Sequence, residues 1–428
     1  MRVVLVNYRY LMSGGPERYM FSVTDLLEGA GHEVIPFSIR YRANRPSQWE
    51  TYFAEPIGED DEVLFRDQRQ SPAVVVRGLR RAFYASDVYE RVVELLRVAR
   101  PDVALVQNYL RKLSPSVLVA LKHARVPIVV RLSDFAMVCP EAHMLRNGRI
   151  CRECLDHGLI RCIRHRCVQR SLGVSAIASL SMLYAKWRGY FDLIDYFIAP
   201  SATMKAAMSE GGFDPDRIVV LPTFVAPYAT SDDAPCQRRI AFVGRLSHEK
   251  GVETLLQAHA KLIRSPGLGD VELWIAGSGA GTTASRALVA SRNPSSRVRL
   301  LGELDSEGVR DVLHGSQLSV VPSLWLENLP NAMLESLSVG TPVVASDIGS
   351  LSDALDGTGA GLLFKCGDAD QLADTLASVL CDADRLERMR IEARELAARR
   401  YSPEAHLHGL LRVMAAAKRR CDDTALRG

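Results

Sequence analysis

The feature that most constrains the fold is an alternation of short strands and helices that begins at the N-terminus. Residues 2–7 (RVVLVN) form an apolar run rich in β-branched side chains, as in a strand buried on both faces of a parallel sheet. A glycine turn over residues 13–16 follows, and residues 17–30 show helical spacing after a proline that the first turn of a helix tolerates. This order of strand, loop and helix predicts an α/β fold with a parallel sheet.

The same pattern stops at residues 223–237 and then starts again. This segment carries two prolines, small residues and acids between two strand signals, which is typical of a linker. Further strands are predicted at 33–39, 103–106, 128–132, 196–199 and 218–221, and after the linker at 240–243, 271–276, 298–301, 318–321 and 342–346. Because 428 residues exceed what one core usually organises, we expect two doubly wound domains, 1–228 and 238–401. A helix over 402–428 is expected to pack back on the first domain.

Composition narrows the functional classes. The formal net charge of +3 arises from 53 basic and 50 acidic residues, so nucleic acid is not indicated as a partner. The N-terminus lacks the pattern of a cleavable signal, and a cytoplasmic location is expected. Residues 174–191 are strongly apolar, but Lys186 and Arg188 interrupt them. They are therefore predicted to form a buried or interfacial helix rather than a membrane span.

Two cations share the loop that follows the first strand of the second domain. The loop reads GRLSHEKG over residues 244–251, with Arg245 and Lys250 at the carboxyl end of a parallel strand. Ligands of doubly wound sheets bind at that end, and Gly244 allows close approach of the backbone. An arginine fork and a lysine point charge suit a diphosphate, whereas a solvated loop with an Arg245–Glu249 ion pair is the alternative.

Two glutamates flank a loop-to-helix junction after another buried strand. Glu327 precedes the junction, Pro330 starts the helix, and Glu335 lies about one turn inside it. The first amides of a helix form an anion site, and a carboxylate near them can accept hydrogen bonds from ribose hydroxyls. Two acids in this position, beside a cationic loop, favour a nucleotide-sugar site over two unrelated surface acids.

These segments resemble the large glycosyltransferase family 4. The likeness rests on GRLSHEKG, RVRLLGEL, PSLWLENLPNAMLESLSVGTPVVASDIGSL and an N-terminal SGGPERY. It implies the GT-B architecture, in which two Rossmann-like domains face a cleft, and a nucleotide-diphosphate-sugar donor transferred with retention of configuration to a lipid-linked or oligosaccharide acceptor of a bacterial cell-surface glycan.

The resemblance also implies roles for individual residues. Arg245, Lys250 and Glu327 would be catalytic, with Glu327 at the transferred sugar and Glu335 at the ribose. The implied donor site comprises Gly244, Arg245, Lys250, Gly302, Glu303, Glu327, Asn328, Leu329, Asn331, Ala332 and Glu335, and the implied acceptor side of the cleft comprises Gly14, Gly15, Ser133 and Asp134. Since the donor phosphate itself can accept the proton of the acceptor, no cofactor or divalent metal is implied.

The acceptor half departs from the family pattern. Relatives carry a His-Asp pair where this chain has Ser133 and Asp134, and they often place histidines where this chain has Gln107. A serine can hydrogen-bond a sugar hydroxyl, but it does not titrate near neutral pH as imidazole does. The handling of the acceptor is therefore where this chain is expected to differ.

Five of the nine cysteines lie within residues 139–170, an insertion in the first domain. Cys151, Cys154, Cys162 and Cys167 could hold a structural zinc ion, although the spacing of the pairs is unlike that of common zinc ribbons. A buried group of thiols is the alternative. The insertion is basic, which suits either solvated arginines or contact with an anionic membrane. These arginines are Arg146, Arg149, Arg152, Arg161, Arg164, Arg166 and Arg170.

Two other classes of function are weighed against transfer. A nucleotide-sugar epimerase can share the architecture, but the two glutamates and the cationic loop argue against it. A non-catalytic glycan- or nucleotide-binding module would leave those four charged residues without a reason to occur together. A dinucleotide oxidoreductase requires a G-x-G-x-x-G turn after the first strand, and residues 7–15 do not supply it.

Overall fold

The computed structural model describes residues 1–58, 72–226, 237–279, 282–293 and 295–427. Its core is formed by two six-stranded parallel sheets, one in each half of the chain. The N-terminal sheet has the order β2-β1-β3-β4-β7-β8. Its strands are β1 Arg2–Val6, β2 Glu33–Phe37, β3 Val103–Val106, β4 Ile128–Arg131, β7 Tyr196–Ala199 and β8 Ile218–Val220.

Helices cover both faces of this sheet. They are α1 Gly15–Gly29, α2 Pro72–Phe83, α3 Ser86–Ala99, α4 Ser116–His123, α7 Leu172–Trp187 and α8 Ala202–Glu210. The cysteine-rich insertion between β4 and α7 contains a small hairpin, β5 Leu145–Arg146 and β6 Arg149–Ile150, and two short helices, α5 Glu153–His157 and α6 Ile160–His165.

The C-terminal sheet repeats the plan with the order β11-β10-β9-β12-β13-β14. Its strands are β9 Gln237–Val243, β10 Glu272–Ala276, β11 Val298–Gly302, β12 Ser316–Val321, β13 Val343–Ser346 and β14 Gly361–Phe364. The helices of this half are α9 Val252–Leu262, α10 Thr283–Arg292, α11 Ser306–His314, α12 Asn331–Ser338, α13 Gly349–Leu355, α14 Ala369–Leu380 and α15 Ala383–Arg400. Helix α16, Pro403–Arg427, ends the chain.

The central strands are apolar because both of their faces are covered. Every residue of β3, β4 and β13 is buried, whereas a strand exposed on one face would alternate between apolar and polar residues. In each sheet the strand order reverses at one point, between β1 and β3 and between β9 and β12. Ligands of such sheets bind outside the carboxyl ends of the strands at this reversal. The predicted α/β fold with two Rossmann-like domains is confirmed.

The last helix returns to the N-terminal sheet. Leu410, Met414 and Ala417 of α16 are buried in one cluster with residues of β1 and β3. His406 anchors the start of the helix, because its Nδ1 lies 2.7 Å from the Pro222 carbonyl oxygen and its Nε2 lies 3.0 Å from the Tyr19 hydroxyl.

Some expectations require adjustment. Most of the predicted linker, residues 227–236, lies outside the described residues. The apolar stretch 174–191 is helical only to Trp187, because Gly189 adopts a φ of +66°. Strand β14 was not predicted, since four residues beginning with a glycine give little periodicity. Among the described residues, none of the helices combines the length and apolar content needed to cross a membrane.

Candidate functional site

A cleft of about 1050 Å³ lies between the two domains. It is lined by fourteen of the fifteen donor and acceptor residues implied by the resemblance. They are Gly14, Gly15, Ser133, Asp134, Gly244, Arg245, Lys250, Glu303, Glu327, Asn328, Leu329, Asn331, Ala332 and Glu335. Gly302 is not among the lining residues described, and its carbonyl accepts a hydrogen bond from the Gly277 amide at 2.7 Å. The structure thus brings together residues that are separated by more than 300 positions in the chain.

The cationic loop after β9 is held against the segment after β12. Gly251, with a φ of +71°, lies so close to Pro322 that a Cβ atom would fall 1.7 Å from the Pro322 carbonyl oxygen. Only glycine tolerates both the positive φ and this close approach of another backbone segment. In addition, the Leu324 amide donates to the Glu249 carbonyl oxygen at 2.8 Å. Lys250 and Glu327 are therefore brought together by the backbone of two loops at the strand reversal.

Lys250 and Glu327 form a partly buried ion pair. The distance from Lys250 Nζ to Glu327 Oε1 is 2.6 Å, and Glu327 is only 6% exposed. The Ser323 hydroxyl donates to the same carboxylate oxygen at 2.7 Å, and the Ser350 hydroxyl donates to the Glu327 carbonyl oxygen at 2.8 Å. Charge-assisted bonds of this kind are short and strong. The pair is fixed by the protein and does not need a ligand to position it.

Arg245 differs from Lys250 although both line the cleft. Its side chain is 61% exposed, and its Nη2 lies 3.5 Å from Glu249 Oε1. This is the surface pair that the sequence offered as the alternative to a diphosphate contact. An exposed pair of this kind contributes little to stability, so the guanidinium is able to exchange Glu249 for an anionic ligand.

Glu335 contacts the opposite domain. Its Oε1 lies 2.6 Å from Nη1 of Arg18, in the first turn of α1, and burial raises the pKa of the Glu335 carboxyl. The glycine loop also approaches α12, since a Cβ on Gly15 would lie 3.7 Å from Asn331 Nδ2. Because α12 begins at Asn331, its first amides and the positive end of its dipole are at the cleft.

The predicted acceptor side contains Ser133 and Asp134 just after β4. Burial raises the pKa of the Asp134 carboxyl, whose Oδ1 accepts from the Ala136 amide at 2.8 Å. Just before them, the guanidinium of buried Arg131 lies 3.7 Å from the ring centre of Tyr19 and donates to the Thr223 hydroxyl at 2.6 Å. Arg131 holds this end of β4 against α1 and the segment that leads out of the domain.

Several buried polar atoms of the cleft have no hydrogen-bond partner among the described residues. They are Glu17 Oε1, both side-chain polar atoms of Gln107, the Tyr109 hydroxyl, Trp325 Nε1 and Asn328 Oδ1. Glu17 retains a longer ionic contact, 3.8 Å from Arg9. Buried polar groups are normally hydrogen-bonded, so the cleft is suited to a ligand rich in hydroxyl groups.

Sequence reasoning missed three residues of the cleft. Arg18 belongs to the SGGPERY segment, which identified the glycine loop but not the partner of the arginine. His143 of the insertion stacks on Trp325 of the other domain, with ring centres 5.1 Å apart, and Glu141 raises the pKa of His143 through a hydrogen bond. No sequence signal connects two rings that lie on different domains.

The cysteines in and next to the insertion lie close enough to affect one another's pKa. Cys139 is hydrogen-bonded to Cys154, and this bond lowers the pKa of Cys139 to about 6. Cys162 is hydrogen-bonded to Cys167. Among the described residues no group of three or more His, Cys, Asp or Glu side chains is arranged to hold a metal ion. A zinc site at Cys151, Cys154, Cys162 and Cys167 stays a prediction.

Comparisons with known proteins agree with this geometry. Residues 14–223 match the family described as "Glycosyl transferase 4-like domain", and residues 234–396 match "Glycosyl transferases group 1". The D-inositol 3-phosphate glycosyltransferase of Nocardia farcinica is 34% identical over 198 residues, 42% of this chain and 44% of the relative. The 2-deoxystreptamine glucosyltransferase of Streptomyces kanamyceticus is 27% identical over 232 residues, 53% of this chain and 56% of the relative. The chain thus matches about half the length of these relatives.

Solved structures share the fold over nearly the whole chain. Sucrose-phosphate synthase from Thermosynechococcus elongatus has a TM-score of 0.67 at 17% identity and covers 97% of this chain and 99% of its own. The Anabaena protein HepE, solved with UDP-glucose, has a TM-score of 0.61 at 16% identity and covers both chains completely. The two facing Rossmann-like domains define the GT-B class of glycosyltransferases. Within this class, the chain belongs to the group 1 glycosyltransferases and has a glycosyltransferase 4-like N-terminal domain.

Proposed function

We propose that this protein transfers a sugar from a nucleoside-diphosphate donor to a hydroxylated acceptor. One observation carries the proposal: the Lys250–Glu327 pair, Glu335 and the first amides of α12 line the same cleft. A cation and helix amides suit a diphosphate, and a carboxylate one turn further along the helix suits a ribose. The UDP and UDP-glucose complexes of the Anabaena relative support a nucleotide sugar as the donor.

The proposed reaction retains the anomeric configuration and needs no divalent metal. Negative charge develops on the leaving diphosphate, where Lys250, Arg245 and the start of α12 supply positive charge. Glu327, fixed by Lys250 and Ser323, faces the transferred sugar in this proposal. An oxygen of the donor phosphate takes the proton of the acceptor hydroxyl, so no side chain has to act as the base.

For the acceptor we propose a lipid-linked or oligosaccharide substrate of cell-surface glycan synthesis at the cytoplasmic face of a membrane. The unpartnered polar atoms of Gln107, Tyr109 and Asn328 support a hydroxyl-rich acceptor. The relatives named for D-inositol 3-phosphate and 2-deoxystreptamine also support a hydroxylated acceptor. The eight described cysteines are free thiols, which agrees with a reducing compartment.

A panel of nucleoside diphosphates and their sugars tests the donor site. We expect one nucleotide to raise the melting temperature of the wild-type protein and a Lys250→Ala variant to lose this shift, because the variant lacks the cation that faces the diphosphate. If no nucleotide shifts the wild-type protein, the donor site is wrong. Conversion of a nucleotide sugar into its epimer without an acceptor would identify an epimerase, and nucleotide binding with no turnover on any acceptor would indicate a binding module.

Product analysis tests the stereochemistry and the metal. With a lipid-linked acceptor, NMR of the new linkage should show the anomeric configuration of the donor, and an inverted product would contradict retention. Activity should persist in the presence of EDTA, whereas loss restored by a divalent ion would contradict the metal-free proposal. Metal analysis of the purified protein should find well below one zinc ion per chain, since no group of three or more ligands is arranged for a metal among the described residues.

A further inference from the structure

Helix α7 carries large apolar residues on its solvent side, while its buried side mixes serines with apolar residues. Its buried side includes Ser175, Ser179 and Ser181, all at most 5% exposed. Its solvent side carries large apolar residues, namely Leu172 at 53% exposed, Leu180 at 49%, Leu183 at 38% and Trp187 at 77%. A helix on the surface of a globular protein normally turns such a stripe toward the core. Burial within the chain therefore does not explain the outward leucines and tryptophan.

Helix α2 also turns apolar residues to solvent. Val75, Val76 and Leu79 are 40%, 50% and 37% exposed, whereas Arg81 is completely buried. The Arg81 guanidinium donates to the carbonyl oxygens of Glu55 and Lys112 and to the Asp87 carboxylate at 2.6–3.2 Å. The arginine anchors the helix through the inner side and leaves its valines and leucine outside.

The two helices pack side by side and form one surface, here called the α2–α7 face. Phe83 of α2 and Tyr184 of α7 join them, with ring centres 5.7 Å apart. Seven of the thirteen large apolar side chains that the structure describes as exposed belong to these two helices. A concentration of this kind on a single face is typical of an interaction site.

The charges of the α2–α7 face select among partners. Neither helix contains an aspartate or a glutamate. Arg77 and Arg80 of α2 are exposed, as are Lys186 and Arg188 at the end of α7, and Arg164, Arg166 and Arg170 precede α7 in the insertion. Apolar side chains flanked by cations and by an exposed tryptophan match the interface of a bilayer with anionic head groups.

We infer that the α2–α7 face docks on a lipid surface that carries anionic head groups. The face belongs to the N-terminal domain, which also contributes Ser133 and Asp134 to the cleft. Docking would bring this domain to the membrane. The reason for docking rests on the proposed lipid-linked acceptor, whereas the binding of the α2–α7 face to lipid does not depend on the donor site.

Cosedimentation with vesicles tests the inference on the full chain without donor or acceptor. The wild-type protein should bind vesicles of phosphatidylcholine containing phosphatidylglycerol and should bind pure phosphatidylcholine at least tenfold more weakly. A Leu183→Ser/Trp187→Ser variant should lose at least tenfold in binding to the anionic vesicles, because interfacial affinity scales with the apolar area inserted. Its nucleotide-induced melting shift should remain, which shows that the variant is folded.

A matched control removes exposed apolar residues from elsewhere. Val98→Ser/Ile391→Ser changes two side chains of similar exposure on α3 and α15 and should bind vesicles as the wild type does. Equal binding by the α7 variant and the wild type would overturn the inference and leave the insertion arginines as the contact. A wild-type dimer that dissociates in the α7 variant, with no vesicle binding, would also overturn it and identify a second copy as the partner. A missing nucleotide shift in the wild type contradicts the donor proposal alone.

Discussion

The two walls of the cleft are built differently. On the C-terminal wall the charged groups already have partners: Lys250 with Glu327, and Arg245 with Glu249. On the N-terminal wall, Gln107 and Tyr109 are buried with polar atoms that have no partner among the described residues. Charged groups that already form ion pairs keep a fixed geometry. Such a geometry is suited to stabilising charge that develops at the same position with every donor. Unpartnered neutral groups instead discriminate between acceptors by the hydroxyls that they can bind.

The difference also follows the sequence segments. The C-terminal wall is built from two loops that follow neighbouring strands of one sheet, whereas the N-terminal wall combines β-strand ends with an insertion that contributes His143. Substitutions in the insertion can therefore alter the N-terminal wall and leave the C-terminal wall unchanged. We expect variants of the first wall to affect all substrates and variants of the second wall to affect only the acceptor.

The largest effect is expected for Lys250→Ala. In the proposed reaction this cation faces the leaving diphosphate, so its loss should lower kcat/KM by roughly two to three orders of magnitude, as for other single groups that stabilise developing charge. Initial rates at saturating acceptor measure this effect.

Lys261→Ala serves as the control, because Lys261 forms an exposed ion pair with Asp370 on the same domain. Its rate should match that of the wild type. A loss of less than threefold in Lys250→Ala would show that the fixed pair does not contribute to catalysis.

A second prediction concerns the cores, where the two domains should behave alike. Burial lowers the pKa of His259 in one domain and of His406 in the other to about 4. Each unfolded histidine takes up a proton near pH 6.5 while the folded one does not, so stability is complete above pH 6.5 and falls as the pH drops toward 4. Each residue can account for about 3 kcal/mol of this loss at most. Urea unfolding at pH 7.5, 5.5 and 4.5 measures the slope.

His259→Gln and His406→Gln should each flatten the dependence on pH, and His408→Gln, which changes an exposed residue of α16, should not. If the free energy of unfolding of His406→Gln fell with pH as steeply as that of the wild type, the buried neutral imidazole would not be the source of the pH dependence.

Glu335→Gln should weaken the binding of a nucleoside diphosphate about tenfold, because an amide oxygen is a poorer acceptor for ribose hydroxyls than a carboxylate. Calorimetric titration measures this change. The conservative Glu335→Asp should recover part of the affinity, and unchanged binding in Glu335→Gln would place the ribose elsewhere.

Ser133→Ala should produce the smallest effect, a rise of about threefold in the KM for the acceptor, because one neutral hydrogen bond is lost. The dissociation constant for the nucleotide should stay the same, and calorimetry checks it beside the steady-state assay. A weaker nucleotide affinity in this variant would contradict the separation of the two walls.

The sequence predicted the contacts within one domain better than those between the domains for a physical reason. Lys250 and Glu327 follow buried strands with clear hydrophobic signals, and adjacent parallel strands place their following loops at one edge. The Arg18–Glu335 contact joins residues 317 positions apart across two domains, and no local pattern encodes it. The 174–191 segment shows the same limit, since its apolar content predicted a helix but not that its leucines face outward.

The return of α16 to the first sheet has a consequence for folding during synthesis. Leu410 and Met414 complete a cluster that also contains Val3 and Leu5 of β1. When the ribosome has released the whole C-terminal sheet, the N-terminal domain still lacks part of its apolar cover. The domain that is translated first is therefore the last one able to finish its core, in contrast to the usual order in which N-terminal domains fold first.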